Sequence, residues 1–193
     1  METWIAKAVF VAGSIALVAI RAPHGQRSRS VPTEQSYKGP LEIALLILAM
    51  IGFVLPFVWV FSSAFACAER TSTPLVFGMG SVCIVGGLWW FHRSHVDLGT
   101  NWSITLELRA GHRLVTEGVY SRVRHPMYAA LLLYSLGNAL VVPNWIAGPA
   151  YGVPMLLLFA LRVGPEEAMM RARFGAEYDA YCTRSKRLVP HVW

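Results

Sequence analysis

The chain has 193 residues, of which 55% are hydrophobic and 15% are charged. Soluble domains carry about 25% charged residues, so this composition excludes an ordinary soluble domain and indicates an integral membrane protein. The net charge of +6 does not indicate nucleic-acid binding, because the basic residues flank apolar runs and do not form a basic surface on a soluble domain. The three cysteines lack CxxC spacing, and His92 and His95 lack a third ligand. We therefore expect no disulfide framework and no metal site.

Five apolar runs predict an all-α membrane protein with about five transmembrane helices, since one crossing takes about 20 residues. The last two runs are short and are joined by Pro143 and Asn144, which predicts a C-terminal helical hairpin. The segment Arg21 to Pro40 is polar and is predicted to be a loop. The runs cover residues 4–20, 41–66, 74–91, 127–142 and 145–161.

The basic residues predict the orientation of these helices. All Lys and Arg residues except Lys7 and Arg70 lie in the first polar loop, in or just before the central polar segment, or in the C-terminal tail. By the positive-inside rule these three segments face the cytoplasm, which places the N-terminus outside. We expect a protein of the inner or cell membrane with its functional segments on the cytoplasmic side.

The central polar segment, Asp97 to Tyr128, is dense in groups that hold charged small molecules. Pro126 is predicted to start a helix, because proline lacks the N–H that would be unpaired at that position. His125 then falls at the helix cap, where free N–H groups and the helix dipole favour an anion. Arg124, His125 and Tyr128 are expected to surround this helix end. The alternative is a basic membrane flank with an ordinary proline start.

A second polar cluster, Arg162, Glu166 and Glu167, follows the last apolar run. Arg162 and Glu166 are four residues apart and share a helix face, so they can pair with each other or with a ligand. Pro165 predicts that a new helix begins there, with both glutamates in its first turn. In that alternative the carboxylates only stabilise the helix start through its dipole.

These features together resemble the isoprenylcysteine carboxyl methyltransferase family and its wider group of integral membrane methyltransferases, which includes phospholipid methyltransferases. The resemblance rests on RHPMY followed downstream by Glu-Glu and FGxEYxxY, and it is strong only in the C-terminal half. The matching stretches are Leu98-Gly99 with Trp102-Ser103, GHRLVTEGVYSRVRHPMY at 111–128 and RVGPEEAMMRARFGAEYDAY at 162–181.

The resemblance implies a single membrane methyltransferase domain over residues 1–193, with three N-terminal helices in 1–92 and the cofactor-binding and catalytic region in 93–193. It implies S-adenosylmethionine as cofactor and a lipophilic or prenylated acceptor that enters from the membrane lipids. Carried over to this chain, the cofactor-binding residues are His112, Leu114, Val115, Gly118, Tyr120, Arg124, His125, Pro126, Tyr128 and Glu167.

The resemblance also implies that Arg162, Glu166 and Glu167 are catalytic. Arg162 is expected to orient the acceptor, Glu166 to steady Arg162, and Glu167 to hold the amino group of the cofactor. The chain departs from the family pattern at Pro165 and Ala168, where a longer acidic run is common, so the division of roles between the glutamates stays open.

The expected reaction is methyl transfer to a carboxylate of a prenylcysteine-like acceptor. A carboxylate is ionised at neutral pH and mainly needs an arginine to orient it, whereas an ammonium acceptor first needs a base. The alternatives are a phospholipid amine methyltransferase, an NADPH-dependent membrane lipid reductase and a small membrane transporter. A transporter predicts charged residues in mid-membrane, and here they cluster at the ends of the runs.

Overall fold

The computed structural model describes residues 2–37 and 39–189, and this part of the chain is mostly helical. Three of its helices, α1, α2 and α3, are long and apolar enough to cross a membrane. A two-stranded antiparallel sheet, β1 with β2, is a small departure from the all-α prediction. The elements are α1 Thr3–Arg29, β1 Thr33–Ser36, α2 Pro40–Phe61, α3 Pro74–Leu98, β2 Glu107–Arg109, α4 Pro126–Val141, α5 Gly152–Phe174 and α6 Ala176–Arg184.

The predicted polar loop from Arg21 is helical in its first half, because α1 continues to Arg29. This extension packs against the central polar segment: the Ser28 hydroxyl donates to the Trp102 carbonyl, and Gly25 lies next to the Trp102 ring. These tertiary contacts extend the helix beyond the apolar run. Arg21 is therefore a helix residue that faces other elements.

The second and third runs also differ from their predicted limits. α2 ends at Phe61 and not at residue 66, since Ser62 adopts extended backbone and its hydroxyl donates to the Val58 carbonyl at 2.6 Å. α3 continues past Phe91 to Leu98 and ends at Gly99, whose φ of 59° favours glycine.

The predicted hairpin begins as expected and then deviates. α4 starts at Pro126 with His125 as the preceding cap residue. The second arm becomes helical only at Gly152, because residues 145–151 form turns. Asn144 is fully buried and organises these turns: its Oδ1 accepts from the Ile146 and Ala147 N–H groups, and its Nδ2 donates to the Phe65 carbonyl.

The prediction of a helix start at Pro165 is wrong, since α5 runs without interruption from Gly152 to Phe174. Proline removes one backbone hydrogen bond in a helix interior. The helix persists because side chains on both sides of Pro165 are anchored in other elements: Arg162 pairs with Glu42 of α2, and Glu167 pairs with Arg124. The glutamates therefore lie within a long helix and not in a first turn.

Small residues allow α3 and α4 to pack closely. A Cβ at Gly87 would lie 2.7 Å from the Tyr134 amide nitrogen, and one at Gly137 would lie 2.7 Å from the Ile84 amide nitrogen. Such contacts are typical of packed membrane helices, where small residues let backbones approach. The two helices are closely packed, and α1, α2 and α5 complete the helix bundle around them.

Candidate active site

One cavity of about 680 Å³ runs from the helix bundle into the central polar segment. Its apolar part is lined by side chains of α1, α2 and α5, among them Leu17, Ala49, Phe53 and Leu158. Its polar part is lined by residues from the range 101–128. Arg162 and Glu166 of α5 and Tyr178 and Tyr181 of α6 complete this lining. The same cavity therefore offers an apolar compartment and a polar compartment.

The structure brings most of the predicted cofactor-binding residues to this cavity. Gly118 and Glu167 are not part of its lining. Gly118 instead shapes the loop: it has φ of 58°, and it lies directly against the Asp97 carboxylate, which accepts from the Val119 N–H at 2.9 Å. The predicted residues in the lining are His112, Leu114, Val115, Tyr120, Arg124, His125, Pro126 and Tyr128.

Glu167 lies just behind the lining and is surrounded by basic side chains. Its carboxylate accepts from Arg124 Nε at 3.1 Å and from Arg187 Nη2 at 2.9 Å, and it lies 3.4 Å from His125 Nε2. Burial alone would raise the pKa of Glu167, but the hydrogen bonds from His125, Arg187 and Arg124 outweigh it and lower the pKa well below the ordinary value. Glu167 is therefore an anion at neutral pH, and it holds Arg124 and His125 in place.

The C-terminal tail fixes the other side of the same segment. The Arg124 N–H donates to the Lys186 carbonyl at 2.7 Å, and the His125 N–H donates to the Arg187 carbonyl at 3.0 Å. The Tyr181 hydroxyl donates to the Tyr120 carbonyl at 2.6 Å. Burial raises the pKa of Tyr181 to about 12, so this hydroxyl stays a donor at neutral pH.

Arg162 is the centre of a second network. Its Nη1 donates to the Ile104 carbonyl at 2.7 Å and lies 3.3 Å from Glu42 Oε1. Its Nε lies 3.8 Å from Glu166 Oε2, which also accepts from the Tyr128 hydroxyl at 2.9 Å. The predicted pairing of Arg162 with Glu166 is thus present, and the two residues lie beside the predicted cofactor segment.

The sequence did not identify Glu42 as part of this network, since an acidic residue in the first turn of an apolar helix reads as an interfacial group. Glu42 is only 7% exposed, and its Oε1 also accepts from the Leu106 N–H at 2.7 Å. A signal was present, because a carboxylate at the edge of an apolar run is costly without a partner. The sequence could not show which arginine that partner is.

Two residues of the cavity lining have a buried polar atom that makes no hydrogen bond with the described residues. Within the part of the chain that the structure describes, Arg162 Nε and His112 Nδ1 are such atoms. Burial and the nearby Arg173 lower the pKa of His112, so its ring is neutral at neutral pH. His112, with the apolar Leu114 and Val115 beside it in the lining, offers polar and apolar contacts to one part of a ligand, and Arg162 offers a donor to an anionic group.

Comparisons with known proteins show what the sequence of this chain is similar to. Residues 78–172 match the family model described as the isoprenylcysteine carboxyl methyltransferase (ICMT) family. Protein-S-isoprenylcysteine O-methyltransferase B of Arabidopsis thaliana is 40% identical over 81 residues, which are 42% of this chain and 41% of that protein. Protein-S-isoprenylcysteine O-methyltransferase of Tribolium castaneum is 32% identical over 114 residues, 58% of this chain and 40% of that protein.

A solved structure extends the likeness to the fold of almost the whole chain. The structure of the eukaryotic intramembrane Ras methyltransferase ICMT aligns with a TM-score of 0.56 and 20% identity, over 95% of this chain and 62% of that chain. The chain spans about two fifths of the length of the two curated relatives described above. The predicted resemblance to the isoprenylcysteine carboxyl methyltransferase family is therefore confirmed, in sequence through residues 78–172 and in fold through nearly all of the chain.

Proposed function

We propose that this protein transfers a methyl group from S-adenosylmethionine to the carboxylate of a lipophilic, prenylcysteine-like acceptor. The observation that carries the proposal is the single cavity that joins an apolar compartment between α1, α2 and α5 to the polar residues of the RHPMY segment. One cavity with both characters can hold a lipid tail and a polar cofactor side by side. The names of the curated relatives agree with this reaction.

The polar compartment holds the cofactor in this proposal. When bound there, S-adenosylmethionine supplies an activated methyl group on a positively charged sulfur. His112, Leu114 and Val115 take the nucleoside part, and His125 and Arg124 bind the amino-acid part. The Glu167 carboxylate lies behind the cavity lining and is bound by Arg124, His125 and Arg187. Glu167 therefore acts on the cofactor through Arg124 and His125.

The chain's own residues position the acceptor and exclude water. The acceptor carboxylate is already ionised, so its oxygen forms a bond to the methyl carbon while the carbon–sulfur bond breaks, and no proton has to be removed. Arg162, steadied by Glu42 and Glu166, orients the carboxylate through its guanidinium group, whose Nε makes no hydrogen bond within the described residues. The apolar walls keep the site dry, and positioning then supplies much of the rate acceleration. We place this site at the cytoplasmic face, by the positive-inside rule.

The two enzymatic alternatives differ from this proposal in cofactor or acceptor. An NADPH-dependent lipid reductase shares the membrane setting, and a phospholipid amine methyltransferase shares the cofactor. A ligand that binds the native state raises the unfolding free energy, by about 2.7 kcal/mol at a concentration 100 times its Kd. We therefore expect S-adenosylmethionine and S-adenosylhomocysteine to raise the melting temperature of the purified protein, and NADPH to leave it unchanged. Stabilisation by NADPH alone would contradict the proposal.

A further inference from the structure

Arg21 lies at the border between the two compartments of the cavity. It is a half-buried residue of α1 and lines the cavity. One turn earlier on the same helix, Leu17 and Val18 line the apolar compartment. The guanidinium carbon lies 5.3 Å from the centroid of the Trp102 ring, a cation–π contact that fixes the arginine against the polar segment.

Within the described part of the chain, Arg21 has no acidic partner, unlike Arg124 and Arg162, which also line the cavity. Arg124 is paired with Glu167, and Arg162 faces both Glu42 and Glu166. Among the described residues, no carboxylate lies within ion-pair distance of Arg21. Arg21 and Arg162 line the same cavity.

A half-buried cation without a counter-charge is unfavourable, and a bound anion relieves that cost. The position of Arg21 sets which anion fits: its neighbours on one side are apolar and on the other side polar. An acid group at the end of a lipid tail meets both conditions. A lipid amine does not, because its positive charge would face that of Arg21.

We propose that Arg21 binds the carboxylate of the acceptor and makes the site select lipid acids over lipid amines. This inference rests on the proposed function and adds an acceptor-binding residue in α1, outside the residues 78–172 that match the family. Arg162 of α5, which lines the same cavity, then orients the carboxylate as well, so that two guanidinium groups hold it. A planar two-pronged donor is suited to that task.

The test measures charge preference and not only activity. The probes are N-acetyl-S-farnesylcysteine and its carboxamide, which share the tail and differ in the acid group. Their affinities are measured in protein saturated with S-adenosylhomocysteine, for the wild type, Arg21→Gln and Arg21→Lys. Arg27→Gln is the matched control, because Arg27 is an exposed residue of the same helix.

We expect the wild type and Arg27→Gln to bind the acid about 10-fold to 100-fold more tightly than the carboxamide, the range for hydrogen bonds to a charged group. Arg21→Gln should abolish most of that preference without changing the affinity for S-adenosylhomocysteine. Arg21→Lys keeps the charge without the planar geometry and should keep only part of the preference. If Arg21→Gln does not fold, the partial loss in Arg21→Lys carries the test.

Three results would overturn the inference. Wild-type preference for the acid in both Arg21 variants would show that Arg21 does not bind it. Weaker S-adenosylhomocysteine binding with unchanged acid preference would assign Arg21 to the cofactor. Selective loss of affinity for phospholipids in the variants, with the acid unaffected, would assign it to a phosphate group. If the wild type binds neither S-adenosylhomocysteine nor the acid, the proposed function itself fails.

Discussion

Arg162 shows how a single side chain joins three parts of the molecule. It contacts Glu42 in α2, the Ile104 carbonyl in the polar segment and Glu166 on its own helix. A buried arginine held between carboxylates is kept in one geometry, and removing a partner from such a network is costly. The position of Arg162 depends on the fold, and its ability to orient a carboxylate depends on the planar N–H donors of its guanidinium group.

The substitution Arg162→Lys keeps the charge and removes the planar geometry. We expect it to lower kcat/KM for a lipid acid by about 10-fold to 100-fold, because one charge-assisted hydrogen bond to the acceptor is lost. The Kd for S-adenosylmethionine should stay unchanged, since Arg162 does not bind the cofactor in this account. Arg171→Lys, an exposed position on the same helix, is the control. An equal loss of cofactor affinity would remove Arg162 from the acceptor side.

Glu167 gives a prediction with a defined pH dependence. Glu167→Gln removes an anion that faces Arg124, His125 and Arg187, and we expect the variant to bind S-adenosylmethionine more weakly and to unfold at a lower temperature. Because the folded-state pKa of this carboxyl is lowered, its stabilisation is fully present above the ordinary pKa of about 4.3 and is lost as the pH falls below it.

Melting temperatures of the wild type and Glu167→Gln in detergent check this sign. The difference between them should be largest at neutral pH and should narrow as the pH is lowered from 5 towards 3. A difference that stays constant over this range would mean that Glu167 contributes through packing and not through its charge.

The contact between α3 and α4 determines stability at the scale of elements. Gly87 lies against the backbone of α4, whereas a Cβ at the neighbouring Gly86 would meet only the Leu133 Cδ2 atom at 3.7 Å. We expect Gly87→Ala to destabilise the protein by about 1–3 kcal/mol, the usual cost of overpacking. Gly86→Ala should have little effect. Thermal unfolding measures the stability of both variants. Equal melting temperatures of Gly87→Ala and Gly86→Ala would show that the contact between α3 and α4 accommodates the added methyl group without loss of stability.

The elements also show what local sequence can predict. The start of α4 at Pro126 depends on neighbouring residues alone, and the sequence predicted it. The uninterrupted α5 through Pro165 depends on anchors in α2 and in the polar segment, so the local proline signal was misleading. The extension of α1 to Arg29 likewise depends on the Trp102 contacts. Local rules failed where partners from distant elements decide the structure.

In the candidate site, too, the sequence predicts local motifs and misses contacts between distant elements. RHPMY and the glutamate pair are contiguous motifs, so the sequence located them, and eight of the predicted cofactor residues line one cavity. Arg21 and Glu42 were missed because nothing in their own segments points to Arg162 or to the cavity. Glu167 lies behind the lining and is paired with Arg124, His125 and Arg187, and its contact with the cofactor stays a prediction.

For the whole molecule, the five apolar runs predict five crossings, and the distribution of basic residues predicts that both polar segments lie in the cytoplasm. Single-cysteine variants test this with an impermeant thiol reagent on intact cells. One variant keeps Cys67, and the other carries Thr183→Cys in place of the native cysteines; both positions are exposed in the structure. We expect rapid labelling at position 67 and none at position 183 until the cells are opened. The reverse pattern would overturn the orientation.

The most direct measurement of the whole account is transfer of a labelled methyl group from S-adenosylmethionine to N-acetyl-S-farnesylcysteine by the purified wild-type protein. A carboxyl methyl ester is cleaved by mild base and releases volatile labelled methanol, whereas a methylated amine or thiol does not. We predict base-labile product with the acid and none with its carboxamide or with phosphatidylethanolamine. Base-stable product on the phospholipid, without ester on the acid, would contradict the account.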